Sequence, residues 1–334
     1  MKYLVTGASG FLGSNLVKRL LKEPNDIEVY AMLRKSSSPR RLQGVESRIK
    51  IRYATLQDYP SLLEALNGID VLFHLAANVR IGSFRSKEIY KDNVLGTENI
   101  FKAAKESGVK RIIYMSSISI FGSDITDCVC EEDIGKGRIM STYGETKLAS
   151  YYLFKDAYNE GLDITAVIPS NIYGPDDPNF GPLFKNYVQK RLKVIAGNLN
   201  ANMGMVFIDD VCDGIILAAG KGKAGNSYIL NSENITLINL LDKAEEITGI
   251  KKPKMKVPKG IIKSSALFAE AACRIIRQPL LLNRQSANLL YTTHPTFDSS
   301  RAKKELGWKP KDFDNTFKKT INWYIDKYGK EKKN

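Results

Sequence analysis

A tyrosine and a lysine in the run YGETK could together perform acid–base chemistry. Tyr143 and Lys147 are four residues apart, which brings both side chains onto one face of a helix. A phenol titrates near ~10 in water, too high for proton transfer at neutral pH. A neighbouring ammonium group favours the phenolate and lowers the tyrosine pKa, so the pair could accept and return a proton. Because this spacing is common on helices, the pair alone does not define a site.

A serine upstream could act on the same substrate atom. The run YMSS, which ends at Ser117, completes the fifth predicted strand. Ligands of parallel sheets bind at the carboxyl ends of the strands. A serine hydroxyl at that edge could hydrogen-bond the carbonyl or alkoxide oxygen that Tyr143 protonates or deprotonates. The three side chains therefore indicate proton transfer at the oxygen of a carbonyl compound or an alcohol.

Three glycines near the N-terminus predict a dinucleotide site. Gly7, Gly10 and Gly13 have the spacing G-x-x-G-x-x-G, between the hydrophobic segment Lys2–Val5 and the helical pattern Ser14–Leu21. Glycines permit the tight turn, let backbone N–H groups approach a pyrophosphate and let the helix pack close to the strand. The helix N-terminus adds unpaired N–H donors and a partial positive charge. The position between strand and helix makes the match specific.

The residues after the second predicted strand bear on the choice of cofactor. A carboxylate there would accept a hydrogen bond from the ribose 2′-hydroxyl of NAD and repel a 2′-phosphate. The chain instead has Arg34 and Lys35, followed by Arg40 and Arg41. These cations suit a phosphate, so the sequence favours NADP(H). The alternative is that Arg34 is ordinary surface charge and that NAD(H) is the cofactor.

The elements that must position these residues alternate along the first half of the chain. Hydrophobic segments and helical patterns follow each other, which predicts an α/β fold, a doubly wound parallel sheet with crossover helices. The predicted strands are Lys2–Val5, Ile27–Leu33, Ile49–Ala54, Val71–Leu75, Arg111–Ser116 and Ile164–Ile168. The predicted helices are Ser14–Leu21, Ser61–Leu66, Ile89–Ser107 and Tyr143–Asn159.

After Pro169 the alternation ends, which predicts a smaller, partly helical substrate lobe. A strand entering a helix is expected over Met205–Ala219, a strand over Ser227–Leu230, and a helix over Thr236–Thr248 with Thr236 as its N-cap. The stretch Ile261–Leu282 is either a core helix or a lid or lipid-facing helix beside an apolar pocket. We assign residues 1–168 and about 206–234 to a Rossmann domain, about 169–205 and 235–312 to the substrate lobe, and 313–334 to a C-terminal helix and basic tail.

Eight motifs together resemble the extended short-chain dehydrogenase/reductase superfamily over nearly the whole chain. They are TGASGFLG at 6–13, HLAANV at 74–79, DNVLGTENI at 92–100, SSISIFG at 116–122, YGETK at 143–147, PSNIYGP at 169–175, FIDDVCDG at 207–214 and DSSRAKKELGWKP at 298–310. The resemblance implies that Tyr143 is the catalytic acid/base and that Lys147 binds the nicotinamide ribose and lowers the tyrosine pKa. It also implies that Ser117 orients the substrate.

The same resemblance implies a set of cofactor contacts along the glycine turn and the strand ends. They are Gly7, Ser9, Gly10, Phe11, Leu12, Gly13, Arg34, Lys35, Thr55, Leu56, Leu75, Ala76, Ala77, Tyr143, Lys147, Pro169 and Ile172. Members usually have Asp-Leu where this chain has Thr55-Leu56, so adenine recognition departs from the pattern. We interpret Asn93 as a structural residue, and we expect Ser117, Asn171 and Tyr173 to face the substrate.

Several departures distinguish between branches of the superfamily. Nucleotide-sugar dehydratases follow the serine with an Asp-Glu pair, whereas this chain has Ile118-Ser119. Nucleotide-sugar epimerases have an arginine six residues before Asp209, whereas this chain has Met203. A diphosphate needs such charge-assisted partners. The chain is thus more similar to the dihydroflavonol 4-reductase and 3β-hydroxysteroid dehydrogenase branch.

That branch implies hydride transfer between NADP(H) and a carbonyl or secondary alcohol of a small apolar or aromatic substrate. Two alternatives stay open: a nucleotide-sugar epimerase with retained NAD, and a non-catalytic protein that senses the cofactor. The resemblance also suggests a homodimer through the helices near 89–107 and 143–159.

Composition excludes several other classes. The 334 residues have a net charge of +14, but the lysines are spread along helices without a nucleic-acid-binding motif, so we expect no nucleic acid partner. The four cysteines are too scattered for a disulfide framework, and we expect no metal site. No apolar run is long enough to span a bilayer, so we expect no transmembrane segment, although peripheral membrane contact stays open. Without a signal-peptide pattern, the expected location is the cytoplasm.

Overall fold

The computed structural model describes residues 1–23, 26–79, 86–125, 127–276 and 283–329, with the backbone alone for 270–276. The strands are β1 (Lys2–Thr6), β2 (Glu28–Leu33), β3 (Lys50–Tyr53), β4 (Val71–His74), β5 (Arg111–Met115), β6 (Cys128–Val129), β7 (Ile164–Pro169), β8 (Asn171–Tyr173), β9 (Val194–Ala196), β10 (Asn202–Phe207), β11 (Ser227–Leu230), β12 (Glu233–Thr236), β13 (Met255–Val257) and β14 (Thr296–Phe297). The α-helices are α1 (Phe11–Leu20), α2 (Tyr59–Leu66), α3 (Ser86–Tyr90), α4 (Gly96–Glu106), α5 (Thr142–Asn159), α6 (Gly181–Val188), α7 (Ile208–Lys221), α8 (Leu237–Thr248), α9 (Lys259–Ile276), α10 (Arg284–Leu289) and α11 (Phe313–Tyr324). A π-helical turn, Lys91–Leu95, joins α3 to α4.

Seven parallel strands form the central sheet, in the order β11-β7-β5-β4-β1-β2-β3. The six strands predicted in the first half are all present, and their ends differ from the prediction by one residue at most. The strand predicted over Ser227–Leu230 is the seventh, at the edge of the sheet. The chain leaves β1 on one side toward β2 and returns on the other as β4. This reversal of strand order creates a crevice at the carboxyl end of β1, where doubly wound sheets bind their ligands.

Alternate side chains of the central strands belong to two separate hydrophobic cores, as expected for a sheet that is covered on both faces. Leu4 of β1 and Tyr114 of β5 pack in the core beneath α2, α4 and α5. Val5 and Met115, the next residue of each strand, pack on the other face against α1 and α7. The buried hydrophobic strands and the helices on both faces confirm the predicted α/β class.

The second lobe has its own sheet and core. Strands β12, β10 and β8 form a three-stranded sheet, with β8 parallel and β12 antiparallel to β10. Helices α6, α8 and α11 contribute Phe184, Leu240 and Phe317 to a third buried cluster. The predicted N-cap of α8 is present, because the Thr236 hydroxyl accepts a hydrogen bond from Asn239 N at 3.3 Å. The domain boundaries stay a prediction.

A late segment of the chain packs against α7 and β11. The indole Nε1 of the buried Trp308 donates to Asp210 O in α7 at 2.8 Å. The Tyr228 hydroxyl donates to Glu305 Oε2 at 2.9 Å, which ties β11 to the same segment. In the part of the chain that the structure describes, no helix is long and apolar enough to cross a membrane.

Candidate active site

The glycine turn after β1 is a tight turn that leads directly into the N-terminus of α1, and we call it the glycine cradle. Gly7 adopts φ of 68°, and Gly10 N donates to Gly7 O at 2.9 Å. A Cβ atom at Gly13 would lie 2.2 Å from Gly7 O, so α1 can approach the turn this closely only with glycine there. Gly10 caps α1 without a side-chain hydrogen bond, which leaves the first N–H groups of the helix free for a ligand. This arrangement fits a pyrophosphate.

The end of β4 is held against this turn by Thr6. The Thr6 hydroxyl accepts hydrogen bonds from Leu75 N at 3.1 Å and from Ala76 N at 3.0 Å. A Cβ atom at Gly7 would lie 3.0 Å from Ala76 N, so the two loops are in close contact. Leu75, Ala76 and Ala77, three of the expected cofactor contacts, are therefore beside the glycine cradle and only partly buried.

Ser117, Tyr143 and Lys147 are brought together where β5 meets the start of α5. Ser117 is the second residue after β5, and its hydroxyl accepts a hydrogen bond from Ser119 N at 3.2 Å. Tyr143 lies in the first turn of α5, which Ser141 caps by accepting from Gly144 N at 3.1 Å. Lys147 Nζ donates to Met115 O at 2.5 Å, and this bond joins the helix to the end of the strand that carries Ser117.

Burial controls the electrostatics of this group. It lowers the pKa of Lys147 to about 7, and only 4% of the side chain is exposed. No carboxylate forms a salt bridge with Lys147 among the described residues. Burial also raises the pKa of Tyr143, and a side-chain hydrogen bond with Ser117 opposes part of that rise. The surrounding residues alone therefore keep Tyr143 protonated. The lowered tyrosine pKa stays a prediction for the protein with a positively charged nicotinamide beside Tyr143 and Lys147.

Lys147 has the donors that a ribose would need. An ammonium group has three N–H donors, and Met115 O is the one hydrogen-bond acceptor that the described residues provide for it. The remaining donors are available to ligand hydroxyls. Nearby, the buried His74 bridges Thr6 and Thr97, and burial together with the Lys147 charge lowers the pKa of His74 to about 3. His74 is thus a neutral structural residue.

Asn93 lies in the π-helical turn and joins three elements of the site. Its Oδ1 accepts from Asn78 N at 2.6 Å, and its Nδ2 donates to Asn78 O at 3.0 Å and to Thr146 Oγ1 at 3.0 Å. Thr146 precedes Lys147 in α5. Asn93 therefore fixes the loop after β4 relative to α5, as our structural interpretation of this residue requires.

The residues expected to contact the adenosine end differ in their surroundings. Arg34 and Lys35 are exposed directly after β2. Arg41 is held within the protein, because its guanidinium forms a salt bridge with Asp176 at 2.7 Å and lies over the Phe11 ring at 5.6 Å. Thr55 and Leu56 are half-buried.

The residues expected to contact the ligands after β7 differ in their burial. Pro169 ends β7 and Ile172 is half-buried in β8. Asn171 is also half-buried, with its Nδ2 donating to Gly204 O at 2.9 Å. The structure does not bring Tyr173 to the cleft. Its side chain is fully buried among the aromatic residues of the second lobe, and its hydroxyl is 2.6 Å from Thr316 Oγ1.

Gln285 is a neighbour of the site that sequence reasoning missed. Its Nε2 donates to Thr142 Oγ1 at 3.1 Å, and its Oε1 accepts from Thr142 N at 3.3 Å. These bonds join α10 of the second lobe to the residue before Tyr143. No motif marks Gln285, and 143 residues separate it from Thr142. Beside this contact lies a cavity of about 400 Å³ whose lining includes Met140, Lys259 and Tyr291.

Comparisons with known proteins identify the family. The model of the NAD dependent epimerase/dehydratase family matches residues 3–231, so the chain belongs to this family. It is 30% identical to sterol demethylase protein B from Methylococcus capsulatus, with 98% of this chain and 99% of that protein covered. It is 27% identical to 3 beta-hydroxysteroid dehydrogenase/Delta 5-->4-isomerase from Mycobacterium tuberculosis, with 92% and 86% covered. The structure of UDP-glucose 4-epimerase from Thermotoga maritima superimposes with a TM-score of 0.79 at 22% identity, covering 98% of this chain and 99% of that one, which shows the shared fold.

The resemblance to the extended superfamily is thereby confirmed, and its relatives include dihydroflavonol reductase-like proteins and 3β-hydroxysteroid dehydrogenases. The protein is an oxidoreductase of this NAD-dependent family. Within the described residues, no group of three or more histidine, cysteine or acidic side chains could hold a metal ion.

Proposed function

We propose that this protein is an NADP(H)-dependent oxidoreductase acting on a carbonyl or secondary alcohol of a small apolar or aromatic substrate. The bond from Lys147 Nζ to Met115 O carries the proposal, because it places the acid/base helix against the strand end that bears Ser117. The names of two relatives, a sterol demethylase protein and a 3 beta-hydroxysteroid dehydrogenase, favour a fused-ring alcohol or ketone within that class.

Each of the three side chains has a distinct task. When bound, the nicotinamide cofactor supplies or accepts the hydride at the substrate carbon. In reduction, the Tyr143 hydroxyl donates its proton to the carbonyl oxygen, while the Ser117 hydroxyl donates a hydrogen bond to the same oxygen. Lys147 donates to the ribose hydroxyls and stabilises the phenolate that Tyr143 becomes. In oxidation, the phenolate takes the proton back from the alcohol.

Two finer assignments belong to the same proposal. Arg34 and Lys35 are exposed at the end of β2, which supports binding of a 2′-phosphate and hence NADP(H). Leu95 and Tyr152 are large exposed side chains on the π-helical turn and α5, which supports a homodimer through this face.

The test is Tyr143→Phe in a carbonyl-reduction assay with a panel of aromatic and fused-ring ketones. Loss of the proton donor should lower kcat by about 10²–10⁴-fold, with NADPH affinity nearly unchanged. Tyr158→Phe removes a hydroxyl from an exposed position of the same helix and should behave as wild type.

Retained activity in Tyr143→Phe would exclude the assigned mechanism. A purified protein that holds NAD tightly and rearranges nucleotide sugars would instead establish the epimerase alternative.

A further inference from the structure

We propose that the first half of α9 is a membrane-docking surface that binds anionic lipid headgroups. This surface consists of Ile261, Leu267 and Phe268, and we call it the α9 surface. The proposal is independent of the reaction proposed above, because it concerns where the protein works rather than what it catalyses.

The α9 surface exposes apolar side chains that the rest of the fold does not cover. Phe268 is 75% exposed, Ile261 57% and Leu267 54%. Ile261 and Phe268 are two helical turns apart and so project from the same face. Ala266, on the opposite face, is completely buried against the protein. The helix is therefore anchored on its inner side and apolar on its outer side.

The segment that includes this face is rich in basic residues. Residues 247–269 contain six lysines and no aspartate or glutamate. Lys251 and Lys252 pair with Glu245 and Asp242. The other four are exposed and form no salt bridge among the described residues, namely Lys254, Lys256, Lys259 and Lys263.

An exposed apolar helix face within a segment rich in exposed lysines fits the interface of an anionic bilayer. The apolar side chains enter the boundary between headgroups and acyl chains, and the lysines attract the negative surface. A second copy of this chain is a poorer occupant, because its own lysines would lie against these. The net charge of +14 adds a general attraction to anionic membranes.

The α9 surface lies close to the cavity beside the acid/base group. Lys259, the first residue of α9, lines the cavity that also contains Met140 and Tyr291. Met140 precedes the start of α5, and Tyr143 lies in the first turn of that helix. A protein docked through α9 would thus hold the neighbourhood of its acid/base residue next to a phase in which apolar molecules dissolve.

Sedimentation of the full chain with lipid vesicles tests the proposal. We expect binding to vesicles of phosphatidylcholine mixed with phosphatidylglycerol, weaker binding at high salt, and little binding to phosphatidylcholine alone. The double variant Leu267→Ser/Phe268→Ser should lower vesicle affinity by at least about tenfold. Lys256→Glu/Lys263→Glu should lower it by about tenfold or more.

Matched control variants distinguish binding through the α9 surface from binding through any exposed apolar side chain or through the overall charge. Tyr53→Ser removes an apolar side chain that is 53% exposed on the edge strand β3. Lys303→Glu/Lys304→Glu changes two exposed charges elsewhere. Both controls should bind vesicles like wild type. Equal loss in the controls, or no binding of wild type to the mixed vesicles, would overturn the proposal. A halved molecular mass of Leu267→Ser/Phe268→Ser in solution would overturn it as well, in favour of a second copy.

Discussion

Individual side chains of the acid/base group could be selected from sequence, but their ionisation could not. The spacing of Tyr143 and Lys147 predicts a shared helix face, and α5 provides it. The pKa of each group depends on the surrounding protein, and burial moves the two in opposite directions. The linear sequence contains no measure of that burial, which arises from packing of α5 on the sheet.

Lys147 should leave a signature in the pH dependence of stability. Its pKa falls from 10.5 in the unfolded chain to about 7 in the folded protein. Between these values the unfolded chain binds more protons, so the free energy of unfolding should rise with pH, by at most about 1.4 kcal/mol per pH unit. Lys147→Met should remove this rise between neutral and mildly alkaline pH in denaturant titrations without cofactor.

Lys155→Met is the matched variant for this experiment, since Lys155 lies two turns further along α5 and is half-exposed. It should keep the wild-type slope. Identical slopes in Lys147→Met and wild type would show that burial does not lower the pKa of Lys147.

Arg34 allows a direct test of cofactor choice. Arg34→Asp should weaken NADPH binding by about 10–100-fold, because a charge-assisted phosphate contact is replaced by repulsion. NADH binding should change little, since NADH has no 2′-phosphate. Titration of both nucleotides by fluorescence measures the two affinities.

Lys22→Asp makes the same kind of charge change just after the C-terminal end of α1, the end that is distant from the glycine turn. This variant should bind both nucleotides with wild-type affinity. If Arg34→Asp weakens NADH as much as NADPH, Arg34 does not recognise the phosphate.

Among the elements, the junction of β1 and α1 is where sequence prediction and structure agree best. The predicted strand and helix are both present, and the three glycines lie between them. The helix begins at Phe11 rather than Ser14, because the first turn starts immediately after Gly10. The local spacing of residues was enough to predict this junction, since strand, turn and helix are consecutive in the chain.

Gly13→Ala should disrupt this junction. The added methyl group would lie 2.2 Å from Gly7 O, so the helix must move away from the turn. We expect the free energy of unfolding to fall by about 1–3 kcal/mol and NADPH binding to weaken with it. Thermal and denaturant unfolding measure the first effect, and nucleotide titration the second.

Gly220→Ala is the control for helix propensity, because a Cβ atom at this position of α7 meets nothing within 4 Å. This variant should be neutral or up to about 1 kcal/mol more stable. A stable Gly13→Ala protein with normal nucleotide affinity would contradict the close approach of α1 to the turn.

At the scale of the whole molecule, the central sheet could be predicted from the sequence, but the strand pairing and packing of the second lobe could not. The strands of the central sheet can be recognised in the sequence as hydrophobic runs separated by helical patterns. The known preferences for connections between parallel strands then limit the order of these strands in the sheet. The second sheet instead pairs β10 with β8 and β12, and these two partner strands are short and partly polar. Tyr173 illustrates the consequence. The sequence predicts a place at the substrate, whereas the side chain is buried in the second lobe beside Thr316, which is 143 residues away.

The stretch Ile261–Leu282 shows a similar division. Its first part is helical, with Ala266 buried and Phe268 exposed, so one helix has both a core face and a face toward solvent. Leu280, Leu281 and Leu282 lie outside the described residues.

The fastening of Trp308 onto α7 also gives the molecule an optical reporter. Trp308 and Trp323 are the two tryptophans of the chain, and both belong to its C-terminal segment. Trp308 is 1% exposed, whereas Trp323 is only half-buried. The native emission of Trp308 should therefore be blue-shifted and should move to longer wavelength once the segment detaches from α7. Intrinsic fluorescence will thus follow the release of this C-terminal clasp, while circular dichroism follows the helices of the whole chain.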